Sequence, residues 1–393
     1  MTERPAAAYN AAAGRKLQMR TEKRGTLQKI RNAAAPFAAG TEADMCTALA
    51  FCRERLFGRT LDLGHSFRER VTLVPRRFAL RFGGGTLREH YAMAGMASED
   101  GDFPLFAEAV NERGLFAAGL NFPHSARYFP AEEGAARGAV APHEVIARVL
   151  ASCATADEAE ALLSGARIAA VPYKGLPVAP LHWFFADGRR AFAAEPREGG
   201  LRLHRDPFGV LTNEPPFESQ LCHLALYRGL RADGPAGGWA SPPRGLAARG
   251  GENEGADGRD SEAQNEGEGA EGALPRLGAG LGGFGLPGDA SSPSRFVRAA
   301  FYAATRPRLR GAEGVSHFFH VLRAVAMVRG SVTDEGGAPD GTRYLCCADG
   351  AAGVYYFCTC GNARLRAVRL QTEGEGMRQL DPHTAEDVLF LRP

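Results

Sequence analysis

The chain has 393 residues, 47 basic against 45 acidic for a formal net charge of +2, with 45% hydrophobic and 23% charged residues and eight cysteines. Cysteines this dilute exclude a disulfide scaffold, no basic stretch interleaved with aromatics marks a nucleic-acid or membrane surface, and no apolar run approaches the ~20 residues of a transmembrane helix. Gly is abundant at 49, and only four lysines occur, at positions 16, 23, 29 and 174.

Residues 1–44 carry eight basic and four acidic side chains among Ala and Gly. They lack strand alternation and contain no apolar stretch that would serve as a signal-peptide core. The segment reads as an unpacked extension, and the protein as cytoplasmic with reduced thiols. At Met45-Cys46 the texture changes. Thr47-Ala48-Leu49-Ala50-Phe51, Leu56-Phe57-Gly58-Arg59-Thr60-Leu61-Asp62 and Arg70-Val71-Thr72-Leu73-Val74-Pro75 read as short strands joined by polar turns.

Helical spacing follows Pro142 at Val145, Ile146, Val149, Leu150 and Cys153, and a capping box opens the next helix with Thr155 and Glu158, ending at Gly165. Leu181–Ala186 before Asp187-Gly188 reads as a strand, as does Gly353–Cys360 after Asp349-Gly350, and Ser316–Val325 reads as a third helix. Strands surround helices without a βαβ rhythm, which argues for α+β layers. Between them, residues 247–273 have no apolar side chain other than Ala, and residues 250–272 set eight acidic residues against one Arg. Such a stretch cannot bury enough apolar area to offset its ordering entropy, so an acidic, Gly-rich loop insertion is expected at about 233–276.

Several patterns invite chemistry and have plainer readings. Gly278-Ala279-Gly280-Leu281-Gly282-Gly283 satisfies G-x-G-x-x-G, but no strand precedes it and Pro287 follows where a helix should continue, so it reads as a flexible loop. Cys346-Cys347 and Cys358-x-Cys360 lack C-x-x-C spacing and read as buried sheet cysteines, not as a metal site. His317 and His320 lie one helical turn apart with no third ligand evident.

Cys46 stands out. A thiol becomes a good nucleophile when a base is at hand and nearby positive charge lowers its pKa. If the chain were cut between Met45 and Cys46, the free α-amine, with an ordinary pKa of about 7.7–8.0, would be such a base. The small Thr47 and the apolar strand behind it would hold that terminus rigidly.

Met45-Cys46-Thr47-Ala48-Leu49-Ala50, Phe57-Gly58-Arg59-Thr60-Leu61-Asp62, Ala118-Gly119-Leu120-Asn121-Phe122-Pro123, Leu211-Thr212-Asn213-Glu214-Pro215 and Leu286-Pro287-Gly288-Asp289 with Ser294-Arg295-Phe296 occur in that order. They resemble the motifs of choloylglycine hydrolases, the bile salt hydrolases related to penicillin V acylases within the N-terminal nucleophile hydrolases. The likeness runs through Val325–Ser331 and covers the chain from 45 to about 390 apart from the acidic insertion. The resemblance implies a four-layer αββα sandwich with two antiparallel sheets, formed by one catalytic domain over 46–393, with residues 1–45 a propeptide or a mis-called start.

It also implies roles. Cys46 would be the nucleophile and its α-amine the proton carrier, Arg59 would favour the thiolate, and Asp62 would orient the α-ammonium. Asn213 and a main-chain N–H at Asn121 would form the oxyanion hole, and Arg295 would complete the polar ring. Leu61, Phe67, the 96–106 segment and Phe129 would wall the substrate pocket. The implied reaction cleaves the amide of a glycine- or taurine-conjugated bile acid through a thioester, with transfer to other amines following from the covalent intermediate. It needs no cofactor or metal, and no nucleic acid or membrane. Asn121 favours bile salts, since penicillin V acylases tend to place Tyr there. Penicillin V or another N-acyl amide is the alternative substrate, and an uncleaved, non-catalytic ligand-binding homologue is the alternative from another class. The family implies a homo-oligomer, but the insertion falls where its tetramer-holding loop would lie. The hairpin turn at Phe51–Leu56 is shorter than usual.

Overall fold

The structure, a computed structural model, describes residues 45–135, 139–233, 280–333 and 337–383. The basic extension before Met45 and nearly all of the acidic insertion lie outside the described residues. The chain divides into two units, residues 1–225 with 287–393 and residues 226–286. In the smaller unit, Leu281–Gly283 forms a single 3-10 turn entered through Gly280 at φ 89, and the Arg231 N–H donates to the Gly282 carbonyl at 2.8 Å. The described part of the glycine motif is this turn, with coil after it where a nucleotide site needs a helix.

The larger unit is built on two antiparallel sheets. Its strands are β1 (Met45–Phe51), β2 (Leu56–Asp62), β3 (Glu69–Val74), β4 (Met93–Ser98), β5 (Phe106–Asn111), β6 (Phe116–Asn121), β7 (Leu181–Ala186), β8 (Ala191–Arg197), β9 (Gly200–Asp206), β10 (Val210–Leu211), β11 (Thr342–Asp349), β12 (Val354–Thr359), β13 (Asn362–Arg369) and β14 (Arg378–Leu380). One sheet runs β10-β1-β2-β11-β12-β13 and the other β9-β8-β7-β6-β5-β4-β3-β14. Helices α1 (Val145–Ser152) and α2 (Ala156–Ser164) cover the second sheet, while α4 (Ser292–Thr305) and α5 (Gly311–Val325) cover the first; α3 (Phe217–Leu224) packs on α4. This is the αββα sandwich anticipated above.

The β1–β2 hairpin shows how sequence sets the layers. Arg55, in the left-handed region at φ 57, closes the Cys52–Glu54 turn by donating its N–H to the Cys52 carbonyl. The register then places Cys46 opposite Leu61, Ala48 opposite Arg59 and Ala50 opposite Phe57. Side chains alternate along a strand, so these six share the face turned to the other sheet, where Phe57 stacks on Phe116 at 5.9 Å. Thr47, Leu49 and Phe51 point the other way, and Phe51 meets Phe318 of α5 edge-on at 4.8 Å. A sheet lies on one side and helices on the other, so both strands are buried almost throughout.

Gly58 is dictated by the neighbouring strand, since a Cβ there would sit 1.9 Å from the Cys346 carbonyl oxygen. The edge strands β9 and β13 instead carry exposed arginines, Arg202 and Arg205 on one and Arg364 and Arg369 on the other, and such charges blunt an unpaired backbone edge.

The anticipated strands and the helix after Pro142 lie within two residues of their expected ends. The box at Thr155 is only half formed: Thr155 Oγ1 accepts from the Glu158 N–H at 3.2 Å, but the Glu158 carboxylate reaches back to the N–H of Ala154, not Thr155. Helix α5 starts at Gly311, a turn before the expected Ser316. Cys346, Cys347 and Cys358 are buried as expected, whereas Cys360 is exposed because it lies past the end of β12 in the turn.

Candidate active site

Cys46 sits on the first strand with 3% of its surface exposed. Its N–H donates to Asn213 Oδ1 at 2.7 Å, and its carbonyl accepts from Arg295 Nη1 at 2.5 Å. The same guanidinium donates to Thr47 Oγ1 at 2.6 Å and, through Nη2, to Asn213 Oδ1 at 2.9 Å. Two donors thus converge on one Asn213 atom, which must be the oxygen, and this fixes the amide's direction. Its Nδ2 donates to the Asn121 carbonyl at 2.9 Å. Cys46, Asn213, Asn121 and Arg295 therefore form one hydrogen-bonded constellation drawn from β1, the segment after β10, the end of β6 and the first turns of α4.

Asn121 lies opposite Leu181. The next pair bonds through the Phe122 N–H and the Pro180 carbonyl at 2.7 Å. Hydrogen-bonded and non-hydrogen-bonded pairs alternate in an antiparallel ladder, so the Asn121 N–H faces away from β7.

Arg59 is fully buried between the sheets. Its Nη1 donates to the carbonyls of Gly119 at 2.6 Å and Ala107 at 3.1 Å, and its Nε lies 3.8 Å from Glu108 Oε2. Burial acts against the guanidinium charge, but the Cys46 sulfur, Tyr344 and Glu108 more than offset this and hold it charged. Burial also pushes the Cys46 thiol above its ordinary range; Arg59 pulls it back, the Asp62 charge pushes it up again, and Arg295 lowers it slightly. The Arg59 charge thus acts towards the thiolate, yet in the uncut chain burial wins and the resting group is a thiol.

Asp62 accepts from Thr342 Oγ1 at 2.5 Å and Thr60 Oγ1 at 3.0 Å, with Arg295 Nη1 4.0 Å away. Burial raises its pKa against the pull of Arg295 and the two hydroxyls. The expected pairing of Asp62 with an α-ammonium belongs to the cut chain. With the chain continuous through Met45, the Cys46 nitrogen is an amide with a single N–H, which Asn213 takes.

Residues 46–238 and 259–382 match the profile of the linear amide C–N hydrolases, choloylglycine hydrolase family. The chain belongs to that family. The choloylglycine hydrolase profile begins at the residue singled out by the site, Cys46. A bile salt hydrolase/transferase from Lactiplantibacillus plantarum is 33% identical over 84% of this chain and 93% of its own length, and one from Clostridium perfringens is 31% identical over 84% and 93%. The crystal structure of a variant of conjugated bile acid hydrolase from Clostridium perfringens superposes with a TM-score of 0.72 at 28% identity, covering 88% of this chain and all of that one. Penicillin V acylase from Agrobacterium tumefaciens shares the fold, with a TM-score of 0.61 at 19% identity over 86% and 91%.

Of the expected pocket residues, Leu61 faces the same side as Cys46 directly across the hairpin, and Phe67 belongs to the same buried cluster. Phe129 stands apart: it pairs with the 168–170 segment and lies under the Arg167 guanidinium at 3.7 Å. Sequence reading missed the residues that hold this choloylglycine hydrolase site from behind. Ser292 Oγ accepts from the Asn213 N–H at 2.9 Å, and Gln220 Nε2 donates to the Asn213 carbonyl at 2.7 Å. Glu108 accepts from the Tyr344 and Tyr355 hydroxyls at 2.7 and 2.6 Å. A Ser before Pro293 at a helix start was the available signal for Ser292; Gln220 and Glu108 carried none.

Among the described residues no helix is long and apolar enough to cross a membrane, and no three His, Cys, Asp or Glu side chains are grouped to hold a metal.

Proposed function

We propose that this chain is a bile salt hydrolase that cleaves the amide of glycine- or taurine-conjugated bile acids with Cys46 as nucleophile, once residues 1–45 have been removed. The observation that carries the reading is the double hold on Cys46, whose nitrogen and carbonyl are both fixed by side chains while its thiol faces Arg59's side of the sheet. The names of the curated relatives supply the substrate class, and the family profile beginning at residue 46 supports the cut.

After the cut, the α-nitrogen is an amine and takes the thiol proton. The thiolate attacks the substrate carbonyl, a carbon–sulfur bond forms, and the oxyanion accepts hydrogen bonds from Asn213 Nδ2 and the Asn121 N–H. Collapse breaks the carbon–nitrogen bond, the α-ammonium returns its proton to the leaving glycine or taurine, and water hydrolyses the thioester. Asp62 orients the ammonium, and Arg295 with Arg59 keeps the surroundings positive. Another amine taking water's place would be acylated instead, a transferase reaction consistent with the names of two relatives. Leu61 and Phe67 line the apolar side of the substrate site, with Phe129 further out.

The eight free cysteines suit a reducing, cytoplasmic setting. We place the enzyme there as a homo-oligomer whose assembly the insertion alters. Turnover of glycocholate, taurocholate and penicillin V, measured side by side on the chain starting at Cys46, tests the reading. Faster cleavage of the two bile salts supports it, and dominant penicillin cleavage overturns the substrate assignment.

A further inference from the structure

Asn121 and Asn213 lie on segments 92 residues apart, so their spacing depends on how those segments dock. The first segment is the turn after β6. Within it the Ala126 N–H donates to the Phe122 carbonyl at 3.0 Å, the Phe122 N–H donates to Pro180 at 2.7 Å, and Pro123 has no N–H to donate. The two main-chain donors left between them, those of His124 and Ser125, both point to Glu214, whose Oε1 accepts them at 3.0 and 2.9 Å. The Ser125 hydroxyl donates to Oε2 at 2.8 Å. Main-chain N–H groups need partners, and one side chain from a distant segment supplies them here.

Glu214 directly follows Asn213 in the chain. Gln220 Nε2 holds the carbonyls on either side of it, donating to Asn213 at 2.7 Å and to Pro215 at 2.8 Å. Pro215 and Pro216 offer no N–H of their own. The backbone of this segment is thus tied to α3 through its oxygens, and the Glu214 side chain reaches across to the 122–126 turn. The Asn213-Glu214-Pro215 motif therefore carries a second contact beside the one made by Asn213.

We propose that Glu214 is a positioning residue that clasps the 122–126 turn onto the segment carrying Asn213 and so sets the spacing of the two oxyanion donors. The inference rests on the reading of Asn121 and Asn213 as the oxyanion site. Asn213 Nδ2 reaches the Asn121 carbonyl directly at 2.9 Å, but two segments joined at one bond pivot about it. The bonds to Glu214 fall three and four residues beyond Asn121 and remove that freedom. Donors serve an oxyanion within about 2.7–3.1 Å, so a small pivot takes one of them out of reach. The clasp asks for acceptors and not for a charge, since Oε1 alone serves both N–H groups.

Glycocholate kinetics on the chain starting at Cys46, with each variant confirmed as folded by near-ultraviolet circular dichroism, test the role. Glu214→Ala should lower kcat by about 10- to 100-fold, the upper end being what a ~1 Å misplacement of a reacting group costs. KM should stay unchanged, the mark of an interaction that matters in the transition state alone. Glu214→Gln keeps a carbonyl for both N–H groups, and its amide can donate to the Ser125 hydroxyl, so its kcat should stay within about 2-fold of the wild type. Ser125→Ala removes one bond of the clasp and should cost about 3- to 5-fold, within the range of a single hydrogen bond. Wild-type kcat in either Glu214→Ala or Ser125→Ala overturns the positioning role alone. A loss in Glu214→Gln as large as in Glu214→Ala also overturns it, because the effect would then belong to charge. Absence of both glycocholate and penicillin V turnover in the wild type overturns the oxyanion reading and this role with it.

Discussion

Burial pushes the Cys46 thiol up and the Arg59 guanidinium pulls it down, and in the continuous chain burial prevails. Cutting the Met45–Cys46 bond adds an α-ammonium within one residue of the sulfur, and a nearby cation stabilises thiolate. Alkylation of Cys46 by iodoacetamide at pH 7, followed by peptide mass mapping, should therefore be at least about 10-fold faster in the chain starting at Cys46 than in one extended through Met45. Equal rates would show that the terminus does not activate the thiol. At this scale the sequence was most readable: Cys46, Arg59, Asp62, Asn121, Asn213 and Arg295 carry chemistry in their types, and their motifs marked them. Glu108 was not readable, because it gains its Tyr344 and Tyr355 partners only when strands far apart in the chain come together.

At the scale of elements, alternation and turn chemistry revealed the β1–β2 hairpin and the α1–α2 pair, since burial leaves a period in the sequence. Helix α4, which carries Arg295, was not anticipated, because its buried positions mix Phe296, Val297 and alanines with Ser292, Ser294, Arg295 and Arg298 and its overall apolarity is low. The first turn of α5, Gly311–Gly314, is likewise too poor in apolar residues to be seen. Gly58→Ala should cost on the order of 3 kcal/mol or more, because its new methyl meets a backbone carbonyl that cannot move without breaking the β2–β11 ladder. A lower urea midpoint at unchanged slope would register this, and an unchanged midpoint would mean the strands separate freely.

Asp206 anchors the turn into β10, accepting from the N–H groups of Phe208, Gly209 and Val210 at 2.9, 2.9 and 2.6 Å. Burial raises its pKa to about 7 against the pull of those bonds. A carboxyl more easily protonated in the folded state than in the unfolded one stabilises the fold below the unfolded value of about 3.9, and that contribution is lost as pH rises towards 7. Asp206→Asn should remove this decline. Urea midpoints from pH 4 to 8 that fall equally in both proteins would contradict it.

For the whole molecule, charge is partitioned along the chain. Residues 1–44 contribute eight positive and four negative charges, a net +4, so the remainder carries −2; residues 250–272 contribute one positive and eight negative, a net −7, which leaves about +5 elsewhere. The near-neutral total is a cancellation between the two compositionally distinct segments and the folded part. The sandwich itself was legible through the family motifs more than through any single element, because layer order depends on contacts far apart in the chain. Removal of residues 1–45 should be required for catalysis, since an acylated α-nitrogen has no basicity. Purified chains with and without residues 1–45 should differ by at least about 10²-fold in glycocholate turnover, the lower end of what general base catalysis contributes; equal turnover would show that the α-amine is dispensable.

The central claim is that Cys46 carries the acyl group. Rapid acid quenching of the chain starting at Cys46 during glycocholate turnover, followed by mass spectrometry of its N-terminal peptide, tests it most directly. The account predicts a cholyl thioester on Cys46, absent from Cys46→Ala along with all cleavage. Steady bile salt hydrolysis by Cys46→Ala, or a cholyl group on any other residue, would contradict it.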